Sequence, residues 1–224
     1  MYFFRASLVL ILFSASLNFS QAKETSEYRE NGYTLIFIND DPTFDPHVKW
    51  RLIETFFRLY PTMAKDFNAD ATKTVTFSIE PGPGVAATSG TTVHFSADHL
   101  RRNPKDIDVA THEIMHLVQA YPDANPWWLT EGIADYARHK YGLDNKSAGW
   151  ELPNYATGQS YTNSYAVTAR FLVWLEKKTP GIVKNLDLAM RSGTYKIEIW
   201  KDQTGKSLDE LWSEYAANPA IASS

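Results

Sequence analysis

The chain carries His112-Glu113-Ile114-Met115-His116 inside a helical pattern. Ile107, Ala110, Ile114, Leu117 and Tyr121 recur at three- and four-residue steps, the period of an amphipathic helix. Positions four apart on a helix lie one above the other. His112 and His116 can therefore aim two imidazole nitrogens at one point, the geometry a zinc ion requires. Glu113 sits beside the first of them, too far round the helix to share the metal easily. It is placed to take a proton from a metal-bound water. The helix lacks a third ligand and an open position for that water, and the rest of the chain must supply them.

The third ligand is sought in Trp128-Leu129-Thr130-Glu131-Gly132-Ile133-Ala134-Asp135-Tyr136. Glu131 and Asp135 are four apart and share a helix face. Gly132 and Ala134 are small enough for another helix to approach closely. With Glu131 on the metal, Asp135 is free to take the outer ring N–H of a ligand histidine, most simply His112. The reverse assignment, with Asp135 as ligand, stays open. The expected set is Zn²⁺ held by His112, His116 and Glu131, with Glu113 as general base.

The 224 residues suggest one domain with a core large enough to stand without staples. Residues 1–22 differ from the rest: Arg5, the apolar run Leu8 to Phe13 and then Ser20-Gln21-Ala22 read as a secretory signal cleaved near Ala22. The run is too short to span a membrane. The expected mature protein, residues 23–224, is a single catalytic domain, secreted or periplasmic, without a membrane partner and monomeric. With Arg5 removed, 21 Lys and Arg face 26 Asp and Glu, so nothing points to nucleic acid. There is no cysteine, so no disulfide braces the chain and any zinc site uses His and carboxylate ligands.

Along the chain, residues 23–32 read as a loose polar leader. Tyr33 to Ile38 and Thr74 to Ile79 read as strands. A helix is expected over residues 45–67, with Pro61 as an interruption. Val85–Thr88 and Thr91–Phe95 read as a hairpin around Ser89-Gly90. Asn103-Pro104 looks like the start of the motif helix and Tyr121-Pro122 its end. A second helix runs from Asn125-Pro126 to about Tyr141, stopped by Gly142. Residues 143–160 are loop-like, and helices are expected near 163–178, 181–191 and 207–217. Tyr195–Trp200 is undecided between strand and helix. His94, His99 and His139 read as ordinary histidines, and Trp174 and Trp212 as core. Trp127 and Trp128 are candidates for lining the site. Asn145-Lys146-Ser147 is a glycosylation sequon.

His-Glu-x-x-His followed by W-L-x-E-G-x-A-x-Y resembles the gluzincin metallopeptidases, the group of thermolysin and the zinc aminopeptidases. The spacing from His116 to Glu131 is shorter than in those two. A fuller resemblance covers Thr111 to His116, Glu131 to Arg138, Tyr165 to Leu172 and Leu211 to Tyr215. In that order, these segments are similar to the plant and microbial basic secretory protein family of exported zincin-like peptidases. The departure is the acidic charge. The resemblance implies an α+β zincin-like fold: a small twisted mixed sheet with an edge strand at the cleft, packed on active-site helices, and a helical C-terminal half. It implies a peptide or glycopeptide substrate and a tyrosine that stabilises the oxyanion. Tyr165 is the first candidate, and Tyr161 the second. Arg170 is read first as a plain structural salt bridge, with Asp135 or a substrate carboxylate as the other candidate partners. The competing readings are an exported protein that binds zinc or glycan without catalysis, and a zinc hydrolase of another amide or ester.

Overall fold

The structure is a computed structural model and describes residues 23–221. The expected signal segment, residues 1–22, lies outside the described residues. Five strands form one mixed sheet in the order β1-β2-β3-β5-β4. They are β1 (Glu24–Glu30), β2 (Tyr33–Asn39), β3 (Thr74–Glu80), β4 (Ala86–Ser89) and β5 (Thr92–Ser96). Strand β2 runs parallel to β3 and β3 parallel to β5, while β1 and β4 lie antiparallel at the two edges.

The parallel β2–β3 pair needs a crossover. It is supplied by α1 (Pro46–Phe67). Asp45 caps this helix by accepting the His47 N–H at 2.8 Å, and Pro46 takes the first turn, where its missing N–H costs nothing. Pro61 lies inside α1 without ending it, contrary to the expected interruption. Leu52, Phe56, Tyr60 and Met63 are fully buried along this helix. Each buried side chain contributes about 1.5–3 kcal/mol, enough together to outweigh the ~3 kcal/mol proline penalty. Phe56 meets Phe77 of β3 edge-on, and Phe77 meets Phe95 of β5. This aromatic layer fixes α1 on the sheet.

Within residues 23–32, expected as a loose leader, Glu24–Glu30 form strand β1 and residues 31–32 the turn to β2. Tyr28 pairs with Leu35 and Ser26 with Phe37 across β1 and β2. An edge strand needs only main-chain pairing on one side, so its polar side chains stay in solvent. The hairpin falls one residue later than expected, with Gly90 at φ +57° in its turn. Glycine occupies that left-handed region without the steric penalty of a Cβ.

The second half is helical: α2 (Ala97–Arg102), α3 (Val109–Gln119), α4 (Trp127–Tyr141), α5 (Tyr165–Lys178), α6 (Ile182–Arg191), α7 (Ile199–Thr204) and α8 (Leu208–Ala217). Asn103 closes the short α2 and does not start the motif helix. The motif helix α3 starts behind the buried Asp108. That carboxylate accepts from the Thr111 hydroxyl and from the Leu143 and Asp144 N–H groups. It thereby ties the start of α3 to the chain beyond α4. Tyr195–Trp200 is a turn leading into α7. Among the described residues, no helix is long and apolar enough to cross a membrane.

Helices α4 and α5 approach closely at Gly132. A Cβ there would stand 2.3 Å from Thr168 Cγ2, so only glycine fits. The small residues of the second motif thus have the close helix contact their size permits.

Candidate metal centre

Helix α3 presents His112 and His116 on one face, and α4 brings Glu131 to the same point. The two Nε2 atoms are 3.1 Å apart. Glu131 Oε2 lies 3.2 Å from His112 Nε2 and 3.6 Å from His116 Nε2. Among the described residues these three form the one group of potential metal ligands. Zinc bonds of about 2.0–2.1 Å in a tetrahedron place neighbouring ligand atoms about 3.3 Å apart. The triangle matches that spacing.

The outer nitrogens decide what the inner ones can do. His112 Nδ1 lies 2.6 Å from Asp135 Oδ1, and a carboxylate oxygen there accepts the ring N–H. His116 Nδ1 lies 2.6 Å from Gln119 Oε1. Gln119 is oriented by its own amide N–H, which donates to the Thr130 carbonyl at 2.9 Å. When neutral, both imidazoles carry their proton outward and turn an Nε2 lone pair inward. In that state two lone pairs and a carboxylate converge, and the cluster is repulsive until a cation enters it, either a proton on His112 or a metal ion, so the donor set fits a metal ion.

The electrostatics agree. Burial pulls the His112 imidazolium down, but hydrogen bonds to Asp135 and Glu131 and the charges of Asp135 and Glu113 outweigh it, holding the pKa at about 10. Burial pushes Glu131 up, yet hydrogen bonds and charge from the two histidines bring it to about 2. The pocket favours positive charge.

Glu113 is buried beside this triangle. Its Oε2 accepts the Thr88 hydroxyl of β4 at 2.7 Å. The site opens into a cleft of about 1080 Å³, walled by Val85 to Thr88 on one side and by Trp127, Tyr165 and Ala166 on the other. The edge strand thus borders the cleft.

Of the two tyrosines, Tyr165 lines the cleft, its ring stacked 6.1 Å from His112 and edge-on to Trp127. Burial and the Glu131, Asp135 and Glu113 carboxylates raise its pKa, so the hydroxyl keeps its proton. The Tyr161 hydroxyl donates to Asp209 and its ring packs on Trp128, outside the cleft lining. Tyr165 follows Ser164, which has φ +67° and ψ −178°, while Tyr165 itself has φ +47°. Only glycine adopts the Ser164 conformation readily, and strain of this kind costs about 1–3 kcal/mol.

The remaining candidates lie elsewhere. Arg170 reaches the Pro219 carbonyl rather than Asp135. His94 pairs with Glu80 and His99 with Asp106. Trp174 is core, and Trp212 packs against it. The sequon residue Asn145 bonds Arg138 through both ends of its amide. Three residues of the site carried no expectation from the sequence: Thr88, Asp108 and Gln119. Gln119 had a signal, since it stands three residues after His116 on the same face. Thr88 and Asp108 act across tertiary contacts and had none.

The fold is that of zincin-like metallopeptidases. The Legionella pneumophila aminopeptidase A in complex with aspartic acid is similar at a TM-score of 0.62 and 15% identity, over 86% of this chain and 27% of that one. An M1 zinc metallopeptidase from Deinococcus radiodurans gives 0.56 and 13%, over 90% and 53%. An aminopeptidase N family protein from Idiomarina loihiensis gives 0.57 and 13%, over 90% and 48%. The chain spans about half the length of these structures or less. A family described as peptidase of plants and bacteria matches residues 35–215, and the chain belongs to it. It is the basic secretory protein family that the sequence segments resembled. No curated protein matches the chain.

Proposed function

We propose that the protein is an exported zinc metallopeptidase whose cleft takes peptides or glycopeptides in extended form. The observation that carries this reading is the lone-pair triangle of His112, His116 and Glu131, with both histidine Nδ1–H groups engaged elsewhere. Those three residues hold Zn²⁺, and Asp135 and Gln119 orient the two rings. The bound metal supplies a Lewis acid and lowers the pKa of water from ~15.7 towards ~7.

The chain's own groups carry the rest. Glu113 accepts the proton of the attacking water and returns it to the leaving amine. Tyr165 donates its hydroxyl hydrogen to the developing oxyanion, a step its retained proton permits. Trp127 and Tyr165 form an apolar wall beside the scissile bond, and both are about half exposed, ready to be covered by substrate. The mature domain works as one catalytic unit, monomeric, after removal of residues 1–22.

The test incubates the purified protein with a diverse mixture of peptides and glycopeptides and identifies products by mass spectrometry. Glu113→Gln serves as the blank. The variant should retain zinc and lose about 10²–10⁴-fold in turnover, the range of general acid–base catalysis. Wild-type turnover by that variant sinks the mechanism. Products absent from both samples favour a non-catalytic zinc-binding role.

A further inference from the structure

We infer that Thr88 of the edge strand is a positioning residue for Glu113 and links the seating of substrate to the setting of the base. The inference rests on Glu113 being that base.

The hydroxyl of Thr88 lies 2.7 Å from Glu113 Oε2 and 3.0 Å from the Glu113 main-chain carbonyl. Both of those oxygens only accept, so the single hydroxyl hydrogen is shared between the two ends of one residue. The contact folds the carboxylate back onto its own backbone and leaves one rotamer in place of several. A glutamate side chain held this way gives up its rotamer freedom before any substrate arrives. That ordering is what a proton-transfer group needs, because an ångström of misplacement costs about 10²-fold in rate.

The main chain of Thr88 faces the cleft. Ser96 donates to the Val85 carbonyl at 3.0 Å, so Val85 turns its polar backbone toward β5. Backbone direction alternates along an antiparallel strand. Ala87 and Ser89 therefore also face β5, and Ala86 and Thr88 face the open edge. Among the described residues, β4 has a strand partner on one side only. An extended peptide laid along that edge meets the N–H and C=O of Thr88 while its side chain grips Glu113. One residue thus touches both the substrate backbone and the group that activates water. The sequence separation between them is 25, so the link exists only in the folded chain.

Thr88→Val keeps the shape and the main-chain groups but removes the hydroxyl. Thr88→Ser keeps the hydroxyl and removes the methyl. On a peptide cleaved by the wild-type zinc enzyme, Thr88→Val should lose about 10–10²-fold in kcat, with KM and zinc content unchanged. Thr88→Ser should restore most of the loss. Wild-type kcat in Thr88→Val overturns the inference, as does a Thr88→Ser variant as impaired as Thr88→Val, since packing alone then explains the defect. Glu113→Gln run alongside separates the two ideas. If it is inactive while Thr88→Val is normal, only the Thr88 link fails; if it turns over normally, the base assignment fails. A crystal structure of each variant needs no turnover: the Glu113 carboxylate should leave its wild-type position in Thr88→Val and keep it in Thr88→Ser. An unmoved carboxylate in Thr88→Val overturns the inference.

Discussion

The floor and the walls of the cleft are built by opposite means. On the floor, α3 and α4 hold His112, His116 and Glu131 in a closed hydrogen-bond system. Each outer ring nitrogen has a fixed acceptor, and one of those acceptors is itself fixed by the Thr130 carbonyl. On the walls, β4 shows an edge without a strand partner among the described residues, Trp127 and Tyr165 stand half in solvent, and Ser164 and Tyr165 carry positive φ angles. The floor is over-determined, because a metal ion tolerates little error in ligand position. The walls store strain and exposed apolar surface, which a bound peptide can relieve or cover.

The largest effect tests whether the floor has the parts assigned to it. Glu131→Ala should strip zinc, measured by elemental analysis after dialysis, whereas Asp135→Ala should weaken affinity by about 10–100-fold, the usual effect of a residue that orients a ligand. Loss of metal in Asp135→Ala alone reverses the two roles. A smaller effect tests how tightly the floor is packed. Gly132→Ala places a methyl against the fully buried Thr168 and should cost about 1–3 kcal/mol in denaturant unfolding. Adding Thr168→Ser removes the nearer carbon, Cγ2, and should recover part of that cost. Full stability in Gly132→Ala means that the helices yield and the floor is softer than described.

The smallest effect tests the strained wall. Ser164 has the φ and ψ of a glycine position and a buried hydroxyl without a hydrogen-bond partner. Ser164→Gly should stabilise the fold by about 1 kcal/mol after the added freedom of the unfolded chain is subtracted. That is a rise of about 2–4 °C in Tm for a chain of this size. A lower Tm contradicts the strain.

The floor was legible in the sequence and the walls largely were not. His112, His116, Glu131 and Asp135 lie at four-residue steps within two helices, so a periodicity available to the eye sets their geometry. Strands β2 and β3, the hairpin and the extent of α1 followed from apolar patterning in the same way, while the mixed sheet came from the family resemblance. β1 was missed because its sequence, ETSEYRE, offers few apolar residues, and its pairing with β2 is made by main-chain groups that every residue has. The start of α3 was placed too early because Asn103-Pro104 imitates a helix start. The anchor is Asp108, which draws its partners from residues 143 and 144. The resemblance ranked Tyr165 ahead of Tyr161, whereas the contact that engages the Tyr161 hydroxyl with Asp209 spans 48 residues and leaves no mark in the sequence.

The Gln119 relay has a consequence for the chain as a whole. Its amide joins His116 on one helix to the backbone of the next, across the turn that begins at Ala120, where φ is +44°. A chain without cysteine has no covalent strap over that turn. With the proposed zinc in place, the glutamine and the cation together would do the work of a clasp, one that a chelator can unfasten and a reductant cannot.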